Sequence, residues 1–253
     1  MVTELDTSRS HLSRSRSAIW AIVPVKSPGE GSKQRLAPLL DGEARQALSR
    51  AMLEDVLDQL ARVSALDGIL LVSGDSRLTT LEARYPVTFH PEPGDNRDGL
   101  NGAVSAAARH LTAQGIETVL ILHGDLPLLV ADELTRLLAC HGTGETPRAT
   151  LVPDDQGDGT NALVVTPPLA LPFAYGRNSF ERHRQLAAER NLQVEVFPSA
   201  PLALDIDTPD DLHRLANFCD LPALRERRSC RLLAGLDLLS FQSAPAAATT
   251  LSQ

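Results

Sequence analysis

The chain has 253 residues, 43% of them hydrophobic, with 32 acidic side chains against 24 Lys and Arg and a formal net charge of −8. That length and apolar content suit one well-filled core, or one domain with decorated ends. The negative balance argues against nucleic acid or an anionic membrane as partner, and means that any phosphate-bearing substrate must meet locally concentrated cations.

Residues 1–17 are rich in Ser and Arg and lack an apolar h-region, so they read as a disordered tail rather than a signal peptide. Residues 242–253 read as a second frayed tail. No apolar run approaches the roughly 18 residues of a membrane span. Cys140, Cys219 and Cys230 lie far apart with no C-x-x-C. They read as separate core or surface fillers in a reducing compartment, with no zinc site, and a cytoplasmic protein is expected.

In chain order, residues 18–26 (AIWAIVPVK) predict a strand. Apolar positions at Ala47, Met52, Val56, Leu57, Leu60 and Val63 predict a helix over 43–63. Strands follow at 68–75 and 85–93, then an Ala-rich helix at 99–114. A strand at 118–125 (TVLILHGD) precedes a helix at 131–141. This βαβαβ rhythm implies an α/β fold, a mostly parallel twisted sheet with right-handed crossovers. After residue 148 the rhythm changes. Two short apolar runs, 149–155 and 160–167, flank QGDG and predict a hairpin, a small antiparallel excursion. A helix over 178–191 and strands at 192–198 and 202–207 (LALDID) come next. The last predicted helix begins at Thr208 as N-cap, with Pro209 at its first position and Asp211 three residues after the cap.

Three constellations carry chemistry. Val119–Leu122 reads as a strand buried on both faces, yet it delivers Asp125 at its end, and a carboxylate beside a core needs a partner. Asp205 and Asp207, two apart on a predicted strand, would share one face, and like charges there repel unless a cation joins them. One reading makes one of them a cap and the other a solvated acid. The other brings them to Asp125 as an all-oxygen site for Mg²⁺ or Mn²⁺. His123 reads as a packing residue rather than a ligand. The second constellation is VPVKSPGEGSKQRL. It offers Lys26, Lys33 and Arg35 on a Gly-containing loop that lacks the G-x-x-x-x-G-K-[ST] pattern. It is either an ordinary solvated loop or a phosphate cradle. The third is YGRNSFERHR, where Asn178 predicts an N-cap with Glu181 as capping-box partner. The free N–H groups near Gly176 and Ser179 would form an anion site. A basic helix face is the plainer reading. Thr160, beside Gly159, precedes an apolar strand.

Together, Val23-Pro24-Val25-Lys26, Ser32-Lys33-Gln34-Arg35-Leu36 with Pro38, Gly124-Asp125-Leu126-Pro127, and Asp205-Ile206-Asp207-Thr208 with Asp211-Leu212 resemble the 2-phospho-L-lactate guanylyltransferase family of coenzyme F420 biosynthesis. That family includes phosphoenolpyruvate and 3-phosphoglycerate guanylyltransferases. The resemblance covers roughly residues 18–218. It implies a Rossmann-like nucleotidyltransferase fold with helices on both sheet faces, with a nucleotidyltransferase domain over 18–220. It implies GTP as donor and a small phosphorylated three-carbon acid as acceptor, and Mg²⁺, two ions, replaceable by Mn²⁺, on Asp125, Asp205 and Asp207. Lys26 would act with these acids in catalysis. Lys33, Arg35 and Asn101 would hold GTP, and Thr160, Gly176 and Ser179 the acceptor. Residues 221–241 match no part of the family and predict an added helical extension; a homodimer is compatible with this reading. Read from the residues alone, other classes stay open. They are another nucleotidyltransferase of the same fold (a molybdopterin guanylyltransferase or a cytidylyltransferase), a D-x-D sugar transferase, and a non-catalytic binding module, against which three acids plus Lys26 weigh.

Overall fold

The computed structural model describes residues 18–26, 33–94, 98–144 and 146–236. Both expected tails, the Gly29-Glu30-Gly31 part of the cationic loop and residues 237–241 of the expected extension lie outside the described residues. Seven strands are present: β1 (Ile19–Pro24), β2 (Gly68–Ser73), β3 (Val87–Pro91), β4 (Thr118–Leu122), β5 (Arg148–Pro153), β6 (Thr160–Thr166) and β7 (Gln193–Val196). They form one sheet in the order β3-β2-β1-β4-β6-β5-β7. The first four strands are mutually parallel, β6 runs antiparallel to both neighbours, and β7 lies parallel to β5. The helices are α1 (Gly42–Leu60), α2 (Gly99–Ala113), α3 (Ala131–His141), α4 (Ser179–Glu189), the single turn α5 (Ala200–Ala203), α6 (Pro209–Cys219) and α7 (Arg228–Gly235). The α/β expectation holds, and the helices cover both faces. The predicted hairpin is also present, but it is no peripheral excursion. Ala162 to Val165 of β6 are all fully buried, so β6 belongs in the sheet interior, directly beside β4.

Strand alternation sorts the core. Ala21, Val23, Leu120, Leu122, Ala162 and Val164 meet α1 and α3 on one face, through Val56, Leu57 and Leu60 and through Leu134 and Leu137. Ile22, Leu70, Val119, Ile121, Leu163 and Val165 meet the small residues Ala103, Ala107 and Ala108 of α2 on the other. Each large aliphatic side chain so buried contributes about 1.5–3 kcal/mol. A third cluster lies beyond the sheet, where Leu48 and Met52 of α1, Leu212 and Leu215 of α6 and Leu233 of α7 gather around Leu204 and Ile206.

Three expectations are corrected. LALDID is not a strand. Ala200–Ala203 is a helical turn and residues 204–207 pair with no strand, because Leu204 and Ile206 are drawn into the third cluster rather than onto the sheet. Cys219 and Cys230 are not separate thiols. The packing of α7 against α6 brings their Cα atoms to 5.3 Å and they form a disulfide, while Cys140 is free and exposed. Finally, a 3₁₀ helix over Ser76–Ala83, capped by Asp75, fills the connection between β2 and β3, where no regular element was predicted. The capping box at Thr208 and Asp211 is as predicted.

His141, the last residue of α3, docks that helix on the sheet. Its Nδ1 lies 2.9 Å from the Thr150 hydroxyl and its Nε2 2.9 Å from that of Thr166. Burial, aided by Arg148, lowers its pKa from 6.5 to about 4. On acidification the unfolded chain therefore takes up this proton first, so the stability it contributes is intact above pH 6.5 and is lost as pH falls towards 4. Each pKa unit is worth about 1.4 kcal/mol. His141→Gln is expected to lose less melting temperature than the wild type across that window. Equal losses in pH-dependent calorimetry would remove His141 as the cause.

Candidate active site

β4 ends at Leu122, and the chain turns through His123, Gly124 and Asp125 before Leu126 re-enters the core. A Cβ at Gly124 would lie 3.1 Å from Cδ1 of Leu53, so any larger residue there requires the Leu53 side chain to shift. The turn sets Asp125 at the carboxyl end of the parallel strands, the side on which open α/β sheets bind ligands. The partner its buried position demands is Lys33. The ammonium Nζ lies 2.5 Å from Asp125 Oδ2 and 2.7 Å from Asp207 Oδ1. Lys33 opens a short 3₁₀ turn in a left-handed conformation (φ 52°), and its side chain is only 9% exposed. Burial would lower its pKa, but the charges of Asp125 and Asp207 prevail and raise it. Burial would likewise raise Asp125, and the Lys33 charge prevails to lower it. The other carboxylate oxygen, Oδ1 of Asp125, is buried without a hydrogen-bond partner.

Asp205 and Asp207 leave the chain on one side after all. The paired face survives without a strand because Leu204 and Ile206 alternate with them and are buried. The Ile206 N–H donates to the Asp125 carbonyl at 3.3 Å, which fixes the segment to the end of β4. Burial first, then repulsion from Asp125 and Asp207, raises the Asp205 pKa to about 6. The Asn161 amide, a residue the sequence reading passed over, donates to Asp205 Oδ1 at 3.4 Å and to the carbonyls of Leu202 and Ala203. Among the described residues no three His, Cys, Asp or Glu side chains are arranged to hold a metal ion. The group that joins the acids in this structure is an ammonium. Lys26 is exposed just past β1, near enough for its charge to act on His123. Arg35 is exposed on the 3₁₀ turn begun by Lys33.

The second region lies at the start of β6 and α4. Thr160 and Ser179 are buried, with their hydroxyl oxygens 3.4 Å apart. Gly176 has φ 119°, a conformation that other residues rarely adopt. The predicted cap at Asn178 does not form. Asn178 is left-handed (φ 54°) and its side chain caps nothing, while Glu181 pairs with Arg184 at 2.9 Å. Nor do all the amides stay free for an anion. The Asn178 N–H donates to Asp158 Oδ2 at 3.3 Å and that of Phe180 to the Asp158 carbonyl at 3.1 Å. Asn101 bonds the backbone of Tyr175 in both directions, accepting at 2.7 Å and donating at 3.1 Å, and so ties α2 to the Tyr175–Gly176 segment.

Tyr175 joins the two regions. Its ring centroid is 5.3 Å from that of His123 and 5.0 Å from that of His183, edge-on to the latter. Its hydroxyl and Nε2 of His123 are buried without hydrogen-bond partners. His183 is fully buried and contacts Thr160. In the sequence His183 reads with Arg177 and Arg182 as a source of positive potential, but it is buried with its pKa lowered and adds none; it lies four residues after Ser179, on the same helix face.

The family described as guanylyl transferase CofC like matches residues 19–219. A phosphoenolpyruvate guanylyltransferase of Conexibacter woesei is 38% identical over 196 residues, covering 78% of this chain and 86% of that protein. A 3-phospho-D-glycerate guanylyltransferase of Colwellia psychrerythraea is 35% identical over 195 residues, covering 77% and 90%. A solved protein of Desulfovibrio desulfuricans G20, assigned to the nucleotide-diphospho-sugar transferases, overlays with a TM-score of 0.71 at 19% identity, covering 87% of this chain and 96% of that one. At that identity the overlay establishes the shared fold.

The Lys33 bridge predicts unequal effects of neutralising its two acids. Breaking a buried pair costs about 3–5 kcal/mol, and an exposed one about 0–1 kcal/mol. The Asp125 side chain is 25% exposed and that of Asp207 50%. In metal-free buffer, Asp125→Asn is expected to lower unfolding free energy by about 3 kcal/mol and Asp207→Asn by about 1 kcal/mol. Equal losses in urea titration would show that Lys33 does not discriminate between them.

Proposed function

Since the chain belongs to the CofC-like guanylyl transferase family, we propose that it transfers GMP from GTP to the phosphate of a small phosphorylated three-carbon acid, releasing pyrophosphate, in coenzyme F420 biosynthesis. The acceptor is phosphoenolpyruvate, 3-phospho-D-glycerate or 2-phospho-L-lactate. The relative in Conexibacter woesei makes phosphoenolpyruvate the first to test. The observation that carries this reading is the convergence of Asp125, Asp207 and Lys33 at the carboxyl edge of the sheet, with Asp205 in their field.

The described acids are not grouped as a preformed three-ligand site, since Lys33 joins two of them, but their donor chemistry supports a divalent cation. Asp125 has a buried oxygen without a partner, and the acids already hold one positive charge between them. Carboxylates are the oxygen donors that Mg²⁺ and Mn²⁺ prefer. Asp125, Asp205 and Asp207 are the residues that would hold it. When bound, such an ion offsets the charge that develops on phosphate oxygens. In the reaction an acceptor phosphate oxygen forms a bond to the α-phosphorus of GTP, and the bond from that phosphorus to the bridging oxygen breaks. A phosphate monoester has its second pKa near 6, so it is already a dianion at neutral pH and no general base is required. The protein's task is then to hold two polyanions together. Lys26, Lys33 and Arg35 are the cations for the triphosphate. Thr160, Gly176 and Ser179 receive the acceptor. The consumption of GTP supports a cytoplasmic location, while the Cys219–Cys230 disulfide departs from the reducing compartment expected from the cysteine spacing.

The test is pyrophosphate release with each of the four nucleoside triphosphates and the three acceptors in competition. Release with GTP alone and a preference for one acceptor are expected, with activity abolished by chelation. Sugar transfer from a nucleotide sugar would give no pyrophosphate, and activity on none of the acceptors would reject the assignment. Asp205→Asn and Asp207→Asn are each expected to slow turnover by at least about 10²-fold, the usual loss on removing a preorganised electrostatic group. Lys26→Ala is expected to lower turnover with an unchanged melting temperature, since an exposed strand-end Lys adds little to a core. An unchanged rate in any of these variants would remove that residue from the site.

A further inference from the structure

His183 is fully buried on α4, one turn beyond Ser179. Its Nε2 accepts the backbone N–H of Ala174 at 2.9 Å. A ring nitrogen that accepts an amide proton carries none of its own, so in the neutral ring the proton resides on Nδ1. Burial, with Arg182 and His123 nearby, lowers the pKa of this imidazole to about 4, so it is neutral at physiological pH. Nδ1 lies 3.0 Å from Oγ1 of Thr160, and that contact is therefore a donation from His183 to Thr160. The ring is held in place by the edge contact with Tyr175, whose backbone is tied to Asn101.

A proton count then follows. Thr160 and Ser179 have two hydroxyl protons between them, and their mutual contact at 3.4 Å uses one at most. Because His183 fills a lone pair of Thr160 instead of taking its proton, one hydroxyl proton of the pair is left over, whichever way the mutual bond runs. With the other tautomer, Thr160 would give its proton to His183 and Ser179 would give its own to Thr160, leaving none.

We propose that His183 is a positioning residue that fixes the Thr160–Ser179 pair as a hydrogen-bond donor to an anionic oxygen of the acceptor, the device by which this site selects a carboxylate or phosphate. The proposal rests on the assignment of Thr160 and Ser179 to the acceptor site. It explains why a neutral, buried His stands behind two hydroxyls that no cation among the described residues contacts directly. It also assigns Ala174 a role, since the N–H of that residue sets the tautomer.

The experiment compares His183→Gln, His183→Asn, Thr160→Val and the Thr160→Val/His183→Gln double variant, reading the KM for phosphoenolpyruvate, the KM for GTP, kcat and melting temperature. A Gln amide reaches the Nε2 position and keeps the bond to Ala174 but places no donor at Nδ1, whereas an Asn amide places one there. His183→Gln is expected to raise the acceptor KM about tenfold, the loss of one hydrogen bond, with the KM for GTP unchanged. His183→Asn should restore most of it, and the double variant should be no worse than Thr160→Val, as coupled residues require. If Thr160→Val leaves the acceptor KM unchanged, the acceptor assignment itself fails. If Thr160→Val raises it while His183→Gln does not, or raises both KM values alike, the assignment stands and the role of His183 is overturned. The tautomer is read independently, in the wild-type protein, from the ¹⁵N shifts of the His183 ring. A proton on Nδ1 is expected, and a proton on Nε2 overturns the proposal even if no His183 variant folds.

Discussion

β4 lies between β1 and β6 and is covered by helices on both faces, so each of its five residues is buried and no charge can stand on it. The first place an ionisable group can appear is where the strand ends. There the chain turns at Gly124, against Leu53 of α1, and delivers Asp125 to the carboxyl edge of the sheet. The polar site depends on this constraint. A carboxylate at the margin of an apolar layer is costly unless paired, and the surrounding segments supply its partners: Lys33 from the turn before α1, and Asp207 from the segment before α6.

The same economy governs the second region. Three aromatic side chains, His123, Tyr175 and His183, lie in series between the acid cluster and the Thr160–Ser179 hydroxyls. Around them a few polar atoms, Nε2 of His123 and the hydroxyl of Tyr175 among them, are buried without a partner among the described residues. In a low-dielectric site each remaining donor or acceptor counts for more than it would in water. Two of the polar side chains of this region, Asn101 and His183, are held by hydrogen bonds to backbone.

The C-terminal segment supports the acids. The Asp55 carboxylate on α1 accepts the N–H groups of Arg228 and Ser229 and the Ser229 hydroxyl, so it caps the start of α7. Arg228 also pairs with Glu54 and Asp58. With the disulfide between Cys219 and Cys230, these contacts bind α7 to both α1 and α6. The cluster they close contains Leu204 and Ile206, the apolar neighbours that turn Asp205 and Asp207 outward. The segment that the family match leaves out is thus part of the packing on which the acid pair rests.

The sequence by itself determined the α/β architecture, because apolar runs of strand length alternate with helical periodicity, and periodicity is a local property. It determined the end of β4 and the capping box at Thr208, since Pro127 and Pro209 act through their own backbone and Asp211 through a carboxylate that accepts the Thr208 N–H three residues back. It marked Asp125 as a carboxylate that needs a partner, Asp205 and Asp207 as acids that repel unless a cation joins them, and Lys33 as one of three cations on a nearby loop. Only the tertiary structure decided which of these charges meet. Lys33 and Asp125 are 92 residues apart, and no periodicity encodes a contact at that distance. It decided that LALDID packs into the third cluster instead of pairing as a strand, because α6 and α7 offer that segment a buried surface that lies outside its own residues. It decided that no capping box forms at Asn178, because Asp158 from the β5–β6 turn takes the Asn178 N–H that Glu181 would have accepted. It decided the disulfide and the His183 tautomer for the same reason. Each depends on an atom brought near by packing, and packing is set by the whole chain at once.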